Sequence, residues 1–309
     1  MTPGTRTANN GNWRTAVRWA ALLRDRYRAI VQSAWSSGGD AMIALHARRS
    51  AESIVRFRRE RATGRLAVVL TGTDLYRDLP ASVEAAQSLD VADRIVVLQQ
   101  DAQRLLAPAW RRKSQVIFQS AAPTIPRPKP RDRLDCVIVG HLRDEKDPLT
   151  LFAALERIPR ELPIRVRHIG APNDDNLARA ARDLAKRDRR YVYAGALPHG
   201  LARAAIARAH VLIHPSVIEG GANVVIEAVM SRTPVIASRI SGNIGLLGHD
   251  YPGYFEPRDA SGLAACLVKA LVERGYLRVL SHACGERRHL FQPAAERRSL
   301  RELVDRLLS

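Results

Sequence analysis

Two kinds of hydrophobic pattern alternate along this chain. Short, mostly apolar runs predict buried strands, whereas stretches with an apolar residue at every third or fourth position predict amphipathic helices. Strands that alternate with helices are typical of parallel sheets built from βαβ units. The predicted strands are 29–33, 41–45, 66–70, 94–98 and 115–118, followed by 134–139, 164–169, 191–193, 211–214, 235–238 and 253–255.

The chain opens with a helical pattern and not with a strand. Apolar side chains at Trp13, Val17 and Ala20 form a stripe that continues towards Tyr27, and Asn12 is the expected cap of this helix. In a Rossmann-like half such a helix follows a first strand, but only eight residues precede the segment that begins at residue 9. We therefore expect either that the first strand of this half is missing or that the chain starts further upstream than the given sequence.

A proline-rich segment separates the two series of predicted strands. Residues 123–133 contain four prolines among basic residues, a composition that disfavours both helix and sheet. We interpret this segment as a linker between a first domain, residues 1–122, and a second domain, residues 134–293. The remaining helix, residues 294–309, is expected to pack on the first domain. The prediction is an α/β protein with two Rossmann-like domains whose parallel sheets face a central cleft.

Composition restricts the class of protein. With 309 residues, of which 46% are hydrophobic, the chain can form two globular cores. No apolar run approaches the ~18 residues of a membrane-spanning helix, and residues 1–10 lack the apolar core of a secretion signal. The three cysteines, Cys136, Cys266 and Cys284, are widely spaced, which argues against a disulfide framework and against a zinc site. We expect a cytoplasmic protein with no metal and no stable membrane association.

The charge of the chain is strongly positive. The formal net charge is +18, and 44 of the 49 basic residues are arginines. Such an excess is compatible with a partner that is a polyanion, such as a nucleic acid. However, the arginines occur in every segment, commonly near Asp or Glu on polar helix faces, and no recognition-helix motif accompanies them. A solvated charged surface is the favoured interpretation, and an arginine-rich nucleic-acid-binding protein is the weaker alternative.

The most informative segment is 211–238, where a strand, a loop, a helix and a second strand follow one another. The loop carries Glu219, Gly220 and Gly221, and the helix contains Glu227. Carboxylates accept several hydrogen bonds and suit the vicinal hydroxyls of a sugar, while glycines let backbone amides approach a diphosphate at a helix N-terminus. The alternative for Glu227 is a polar residue on an amphipathic helix, but its apolar neighbours favour a buried carboxylate that binds a ligand.

A second segment, 139–146, follows the first strand of the second half. Gly140 comes directly after that strand, and Arg143 and Lys146 come a few residues later. A cation about 4 Å from a diphosphate gains roughly 4 kcal/mol before desolvation, at the effective dielectric constant of a protein surface. The alternative is an exposed pair at a helix start. Asp174 and Asp175 are better explained as a helix cap than as metal ligands.

These two segments resemble the donor-binding motif of GT-B glycosyltransferases, specifically of the family 4 type. The resemblance implies a catalytic group formed by Arg143, Lys146 and Glu219, in which Glu219 contacts the hexose and the two cations contact the diphosphate of a UDP-sugar. It also implies that Glu227 binds the ribose. No cofactor is expected. The donor-binding residues implied by the resemblance are Gly140, Gly220, Gly221, Asn223 and Glu227.

Further segments resemble a more particular family. Residues 9–16, 44–50 and 70–76, together with 241–248 and 250–254, resemble the selenosugar synthases of selenoneine biosynthesis, over nearly the whole chain from Pro3 to about Asp259. The resemblance implies transfer of a hexosyl group from UDP-GlcNAc or UDP-glucose to selenophosphate, which forms a selenosugar with a C–Se bond. A selenoneine synthase that acts downstream is then a candidate partner.

The polar residues of the first half fit a small anionic acceptor. They lie at a helix N-terminus, after one strand and in a turn after another, where backbone amides, cations and hydroxyls can bind an anion. Selenium in selenophosphate is already ionised, so His46 is expected to orient or neutralise the acceptor and not to act as a base. The candidate acceptor-binding residues are Asn10, Gly11, Asn12, Arg14, His46, Arg48, Arg49, Thr71, Gly72 and Thr73.

Alternatives remain for this half. His46 can also be a hydrogen-bonded histidine at a strand end, Arg48 and Arg49 can form a solvated helix face, and Asp74 can be a turn or cap residue. A different function is also open, in which a family 4 enzyme glycosylates a hydroxyl group of a lipid or polysaccharide. Trp13 and Trp19, on the amphipathic first helix, are the residues that favour that function.

Overall fold

Two compact units make up the chain. The computed structural model describes residues 1–3, 11–125, 127–273 and 275–309. Unit 1 comprises Met1–Ser120 and Pro293–Ser309, and unit 2 comprises Ala121–Gln292. The first part of unit 1 thus ends two residues before the predicted bound of 122. Each unit contains a parallel sheet with helices, as expected for the predicted α/β class.

Unit 1 has a four-stranded sheet in the order β1-β2-β3-β4, with all neighbouring strands parallel. The strands are β1 (Ala41–Leu45), β2 (Arg65–Leu70), β3 (Arg94–Val97) and β4 (Ser114–Val116). The helices, numbered in chain order, are α1 (Gly11–Leu23), α2 (Ala51–Glu60), α3 (Val83–Asp90), α4 (Pro108–Arg112) and α12 (Pro293–Leu308). A π-helical turn, Asp74–Asp78, and a 3-10 turn, Asp101–Leu105, follow β2 and β3.

Both faces of this sheet are buried, which explains why its strands read as continuous apolar runs. In β2, Leu66 and Val68 pack in one core cluster with Phe57 of α2, whereas Val69 packs in the opposite cluster with Trp19 of α1. The opposite cluster also contains Leu300, Leu303, Val304 and Leu307 of α12. The helix that returns from the end of the chain therefore covers one face of the sheet together with α1.

Two expectations for the start of the chain are wrong. Residues 29–33 form no strand: Ile30 is 63% exposed, and the carbonyl of Gln32 accepts a single-residue contact from the N–H of Thr2 at 2.9 Å. A run with such an exposed centre has no sheet face to bury. Helix α1 begins at Gly11 and ends at Leu23, so Asn12 lies inside the helix and is not its cap.

No strand precedes β1 among the described residues. The edge of β1 is contacted by Met1 instead. Its terminal amine donates to the carbonyl of Ile43 (2.9 Å), and its carbonyl accepts from the N–H of Leu45 (3.0 Å). This short contact partly satisfies the edge strand.

Unit 2 has a six-stranded sheet in the order β10-β9-β8-β5-β6-β7, again parallel throughout. Residues 123–125 and 127–133, within the proline-rich segment, contain neither helix nor strand. The strands are β5 (Leu134–Val139), β6 (Ile164–Ile169), β7 (Tyr191–Tyr193), β8 (Val211–His214), β9 (Val235–Ser238) and β10 (Tyr254–Phe255). The helices are α5 (Pro148–Arg157), α6 (Asp175–Arg187), α7 (His199–Arg208), α8 (Asn223–Met230), α9 (Ser241–Leu247), α10 (Ala260–Val272) and α11 (Tyr276–Arg287).

The described helices include none that is long and apolar enough to cross a membrane.

A single buried carboxylate joins α12 to the rest of unit 1. Glu296 is 1% exposed, and its carboxylate accepts hydrogen bonds from the indole of Trp19 (2.7 Å), the guanidinium of Arg18 (3.1 Å) and the backbone N–H of Ser120 (3.0 Å). The hydroxyl of Ser120 also donates to it. Helix α12 is therefore fixed by polar contacts as well as by apolar packing.

We expect Glu296→Ala to destabilise unit 1 by about 3 kcal/mol, because it leaves several buried donors without an acceptor. All four tryptophans of the chain (Trp13, Trp19, Trp35 and Trp110) belong to unit 1, so their fluorescence during urea unfolding reports on this unit.

The matched control is Glu302→Ala on the same helix. The side chain of Glu302 is 52% exposed and lies 3.6 Å from Arg306, so its loss should change the unfolding midpoint little. Equal shifts for the two variants would show that Glu296 has no special part in holding α12.

Candidate active site

A buried ion pair lies at the carboxyl ends of two neighbouring strands in unit 2. Strand β5 leads into the turn Asp144–Lys146, and β8 leads into the loop that carries Glu219. The ammonium of Lys146 contacts Oε1 of Glu219, and the two side chains are 18% and 11% exposed. On its two sides β5 pairs with β6, which follows it, and with β8, so this is the switch point at which α/β sheets bind ligands.

Electrostatics keep Glu219 ionised. Burial favours the neutral form, but the charge of Lys146 and the nearby His214 outweigh it and hold the pKa of this carboxyl well below its usual range. Nε2 of His214 lies 3.4 Å from Oε1 of Glu219, a distance that is long for a good hydrogen bond. Burial lowers the pKa of His214, so this ring is neutral at pH 7.

The backbone ties the two loops of the ion pair together. The N–H of Val217 donates to the carbonyl of Glu145 at 3.0 Å, which links the loop after β8 to the turn after β5. A Cβ atom on Gly242, in the first turn of α9, would lie 2.1 Å from the carbonyl oxygen of Glu219. Only a glycine therefore allows α9 to approach the Glu219 loop this closely.

Gly140, the first residue after β5, is held from two sides. The ring of His168 is buried, its pKa is lowered to about 4 by burial, and Nε2 lies 3.1 Å from the carbonyl of Gly140. The neutral ring therefore donates to Gly140 and accepts from the hydroxyl of Tyr191 at 2.7 Å. A Cβ atom on Gly170 would lie 1.8 Å from the Gly140 oxygen, so the backbones of the two loops are in contact.

The other predicted donor residues lie along the same edge. Gly220 and Gly221 follow Glu219 in the loop, and Asn223 is the first residue of α8. Glu227 lies one turn further along α8, 12% exposed, and its Oε1 is 2.6 Å from Nε2 of His199 at the start of α7. The two glutamates are thus both mostly buried at the edge where β5 and β8 end.

The two predicted cations, Lys146 and Arg143, lie in different environments. Lys146 is buried against Glu219, and its aliphatic stem lies 3.5 Å from the position that a Cβ atom on Gly140 would take. Arg143 is 48% exposed, and its Nε is 3.9 Å from the carboxylate of Glu145. Lys146 therefore has a structural contact as well as a candidate catalytic one, whereas Arg143 is available to a ligand.

In unit 1, the loops after β1 and β2 are joined by a buried carboxylate, Asp74. It accepts hydrogen bonds from the N–H of Ala47 (3.1 Å), the N–H of Thr71 (2.7 Å) and the hydroxyl of Thr71 (2.9 Å). Burial raises the pKa of Asp74. The residue forms the first position of the π-helical turn, a rare element that often occurs at functional sites.

His46 is enclosed by the same group. The residue is 1% exposed and has a left-handed backbone, φ 71°, which is uncommon for a side chain other than glycine. Nε2 lies 3.2 Å from the hydroxyl of Thr73 and 3.6 Å from Asp78, and Nδ1 accepts from the N–H of Arg49 (3.3 Å). Burial lowers the pKa of this ring. The geometry is that of a hydrogen-bonded histidine at a strand end.

The structure brings some of the predicted acceptor residues together. Thr71, Gly72 and Thr73 lie beside His46, and Arg48 and Arg49 follow it with exposed side chains. The guanidinium of Arg48 is 3.1 Å from Asp78, so part of its binding capacity is used.

The remaining predicted acceptor residues lie on a separate element. Gly11, Asn12 and Arg14 occupy the first turn of α1, and Asn10 lies outside the described residues.

Several residues of these sites were not among the predicted ones. In unit 2, the predicted donor residues are contacted or positioned by His199, His214, His168 and Gly242. In unit 1, the predicted acceptor residues are contacted by Asp74 and Asp78. His214 carries a weak signal in the sequence, because it ends a buried strand just before the Glu219 loop. Asp74 also carries a local signal, as a turn or cap residue, and it binds Thr71 three residues before it. The other residues have no such signal, since their partners are distant in the chain.

The described residues contain no group of three or more His, Cys, Asp or Glu side chains that could hold a metal ion. Asp174 is a cap, as predicted: its carboxylate accepts from the N–H of Leu177 at 2.9 Å, at the start of α6.

Comparison with known protein families gives a match within unit 2. Residues 133–273 match the family model described as glycosyl transferases group 1. A search of the curated proteins finds no significant match to the sequence.

Solved structures are similar to most of the chain. Alr3699/HepE of Anabaena in complex with UDP-glucose has 14% identity and a TM-score of 0.75, with 97% of each chain covered. Sucrose-phosphate synthase from Thermosynechococcus elongatus has 20% identity and a TM-score of 0.70, with 87% of this chain and 73% of that chain covered. The pneumococcal O-GlcNAc transferase GtfA, in complex with UDP and GlcNAc, has 16% identity and a TM-score of 0.69, with 86% of this chain and 57% of that chain covered.

The predicted fold, an α/β protein of the GT-B type with parallel sheets, is thereby confirmed. The predicted enzyme class, a glycosyltransferase, is confirmed as well, because residues 133–273 match the glycosyl transferases group 1 model.

We expect Lys146→Met to destabilise unit 2 by about 2 to 4 kcal/mol at pH 7, because it leaves the carboxylate of Glu219 buried without its cation. Burial then raises the pKa of Glu219. Protonation removes the buried charge, so the difference in Tm between Lys146→Met and the unchanged protein should narrow as the pH falls from 8 to 5.

The control is Arg143→Met, which removes a half-exposed cation three residues away and should change Tm little at any of these pH values. A Lys146→Met variant that is as stable as this control would mean that the ion pair contributes nothing to the fold.

Proposed function

We propose that this glycosyltransferase transfers a hexosyl group from UDP-GlcNAc or UDP-glucose to selenophosphate and so forms a selenosugar with a C–Se bond. The observation that carries the proposal is the Lys146–Glu219 pair beside the Gly220-Gly221 loop, at the switch point of a sheet in a glycosyltransferase domain. The identity of the acceptor is supported by the resemblance of the sequence to selenosugar synthases.

The donor side has the most support. Alr3699/HepE was solved with UDP-glucose, and GtfA with UDP and GlcNAc. In this chain we assign the hexose to Glu219 and the ribose to Glu227, since both are carboxylates at the carboxyl edge of the sheet with limited exposure. Backbone amides of Gly220, Gly221 and Asn223 at the start of α8 would contact the diphosphate, together with Gly140 at the end of β5.

In the proposed reaction the selenium atom of selenophosphate attacks the anomeric carbon of the hexosyl group. A C–Se bond forms, the bond between the anomeric carbon and the diphosphate oxygen breaks, and UDP leaves with the bonding electron pair. Arg143 and Lys146 balance the charge that develops on UDP. Water then cleaves the Se–P bond and releases phosphate, which leaves a selenosugar. No base is needed before the attack, because selenium in selenophosphate is already ionised.

The acceptor is assigned to the loops after β1 and β2. Arg49 has an exposed side chain, while its backbone N–H is fixed on the ring of His46. His46 and Asp74 are buried, so in this proposal they hold the loops in place, and Arg49, Thr73 and Gly72 contact the anion. Asn12 and Arg14, in the first turn of α1, are further candidates for the same anion.

The proposal includes a cytoplasmic location and a downstream partner that consumes the selenosugar, a selenoneine synthase. The three described cysteines are free, which agrees with a reducing compartment.

The proposed reaction predicts that UDP is released only when selenophosphate is present. Purified protein is incubated with UDP-GlcNAc or UDP-glucose, with and without selenophosphate, and UDP is measured.

Release of UDP should persist in EDTA, because the cations of the chain can balance the charge of the leaving group. Loss of activity in EDTA that Mg²⁺ or Mn²⁺ restores would contradict this part of the proposal.

The same assay separates the alternative functions. Release of UDP with a lipid or polysaccharide hydroxyl, and not with selenophosphate, would favour the ordinary family 4 reaction. No release with any acceptor, combined with tight nucleic-acid binding, would favour the arginine-rich binding protein.

We expect Arg49→Ala to raise the KM for selenophosphate about tenfold, since a hydrogen bond to a charged group contributes roughly 1.5 kcal/mol or more. The KM for the UDP-sugar should not change, because the donor is assigned to unit 2. Arg49 is a better test than Arg48, whose guanidinium already binds Asp78.

Arg59→Ala is the control, because Arg59 is a 75% exposed arginine of the same unit on α2. Equal effects of the two substitutions on the acceptor KM would contradict a role of Arg49 in acceptor binding.

A further inference from the structure

A histidine that the sequence did not point to lies against the carboxylate assigned to the ribose. His199 is the first residue of α7, which packs against α8. Its Nε2 lies 2.6 Å from Oε1 of Glu227, and the two side chains are 49% and 12% exposed. The carboxylate of Glu227 is thus mostly buried, and the imidazole of His199 lies outside it at the surface of unit 2.

The backbone before α7 fixes where this imidazole stands. Strand β7 ends at Tyr193, Gly195 turns the chain with a left-handed backbone (φ 65°), and Pro198 immediately precedes the helix. The segment thus leaves the sheet at the carboxyl end of β7, the same edge at which α8 begins after β8. His199 therefore follows a connection of five residues, 194–198, and not a long loop.

The contact has a direct consequence for what Glu227 can do. A carboxylate offers about four lone-pair positions, and an N–H donated by His199 occupies one of them on Oε1. The bond restricts the rotation of the carboxylate and leaves Oε2 for a vicinal diol. Groups that bind ligands need such orientation by a neighbouring side chain, because a freely rotating acceptor loses more conformational entropy on binding.

We infer that His199 is a positioning residue that orients the Glu227 carboxylate towards the ribose hydroxyls of the UDP-sugar. This inference rests on the proposed function, in which Glu227 binds the ribose. It adds a residue from α7 to a donor site that otherwise consists of residues from the β5 and β8 loops and from α8.

The test is calorimetric binding of UDP and of 2′-deoxy-UDP to the full chain. His199→Ala should weaken UDP binding about fivefold to tenfold, the effect of losing the support of roughly one hydrogen bond. Binding of 2′-deoxy-UDP should change much less, because this ligand lacks one of the hydroxyls that the oriented carboxylate accepts. His199→Gln, which keeps an N–H donor, should restore most of the UDP affinity.

A matched control is available in the same unit. His249 forms an exposed pair with Asp250, 3.1 Å apart, and His249→Ala should leave the binding of both nucleotides unchanged. A double-mutant cycle with Glu227→Gln completes the design: once the carboxylate is removed, His199→Ala should have little further effect on UDP binding.

The outcomes separate the inference from the proposed function. If the unchanged protein does not bind UDP, the proposed function fails and the inference fails with it. If it binds UDP but His199→Ala binds equally well, the inference alone is overturned. Equal weakening of UDP and 2′-deoxy-UDP, or no rescue by His199→Gln, would also overturn it, because a general effect on the fold would then explain the loss.

Discussion

The carboxylate of Glu219 can stay buried and ionised only because the ammonium of Lys146 lies against it. An ion pair of this kind is not an efficient way to stabilise a fold, because desolvation consumes much of the attraction, and apolar residues in the same place often do as well. The presence of this ion pair at the switch point of the sheet therefore favours a role in ligand binding over a role in stability. In the proposed function, the cation and the carboxylate can each exchange part of their mutual contact for contacts with the diphosphate and the sugar of the donor.

Unit 1 also has a buried carboxylate at the carboxyl edge of its sheet, but this one is bound by backbone N–H groups. There a single carboxylate, Asp74, accepts backbone N–H groups from the loops after β1 and β2 and holds the two loops together. His46, in a left-handed backbone, then turns its ring back on Thr73 and Asp78. Strained backbone that is fixed by several hydrogen bonds is typical of loops whose shape matters for binding. Each unit thus uses one buried carboxylate to fix the loops at the carboxyl edge of its sheet.

The sequence predicted the strands of both units well because parallel strands that are buried on both faces leave a strong apolar signal. Residues 29–33 have a similar composition without a sheet face to bury, and pattern alone cannot separate the two cases. Glu219, Glu227 and Lys146 could be singled out because each lies close to a glycine turn or an apolar strand. Their contacts could not be predicted: Lys146 and Glu219 are 73 residues apart, and His199 and Glu227 are 28 apart. Those contacts depend on strand order and on helix packing, which no local pattern encodes.

The return of α12 to unit 1 has a consequence for the order in which the chain acquires its structure. A ribosome completes β1 to β4 well before residues 293–309 exist, so the sheet face that contains Val69 and Val96 lacks part of its cover until α12 is made. Unit 2 is continuous in sequence and can fold as soon as it is released, since domains tend to fold as units during synthesis. Unit 1, although begun first, is finished last. Until then its apolar face is exposed to chaperones, to proteases and to other copies of the same unfinished chain.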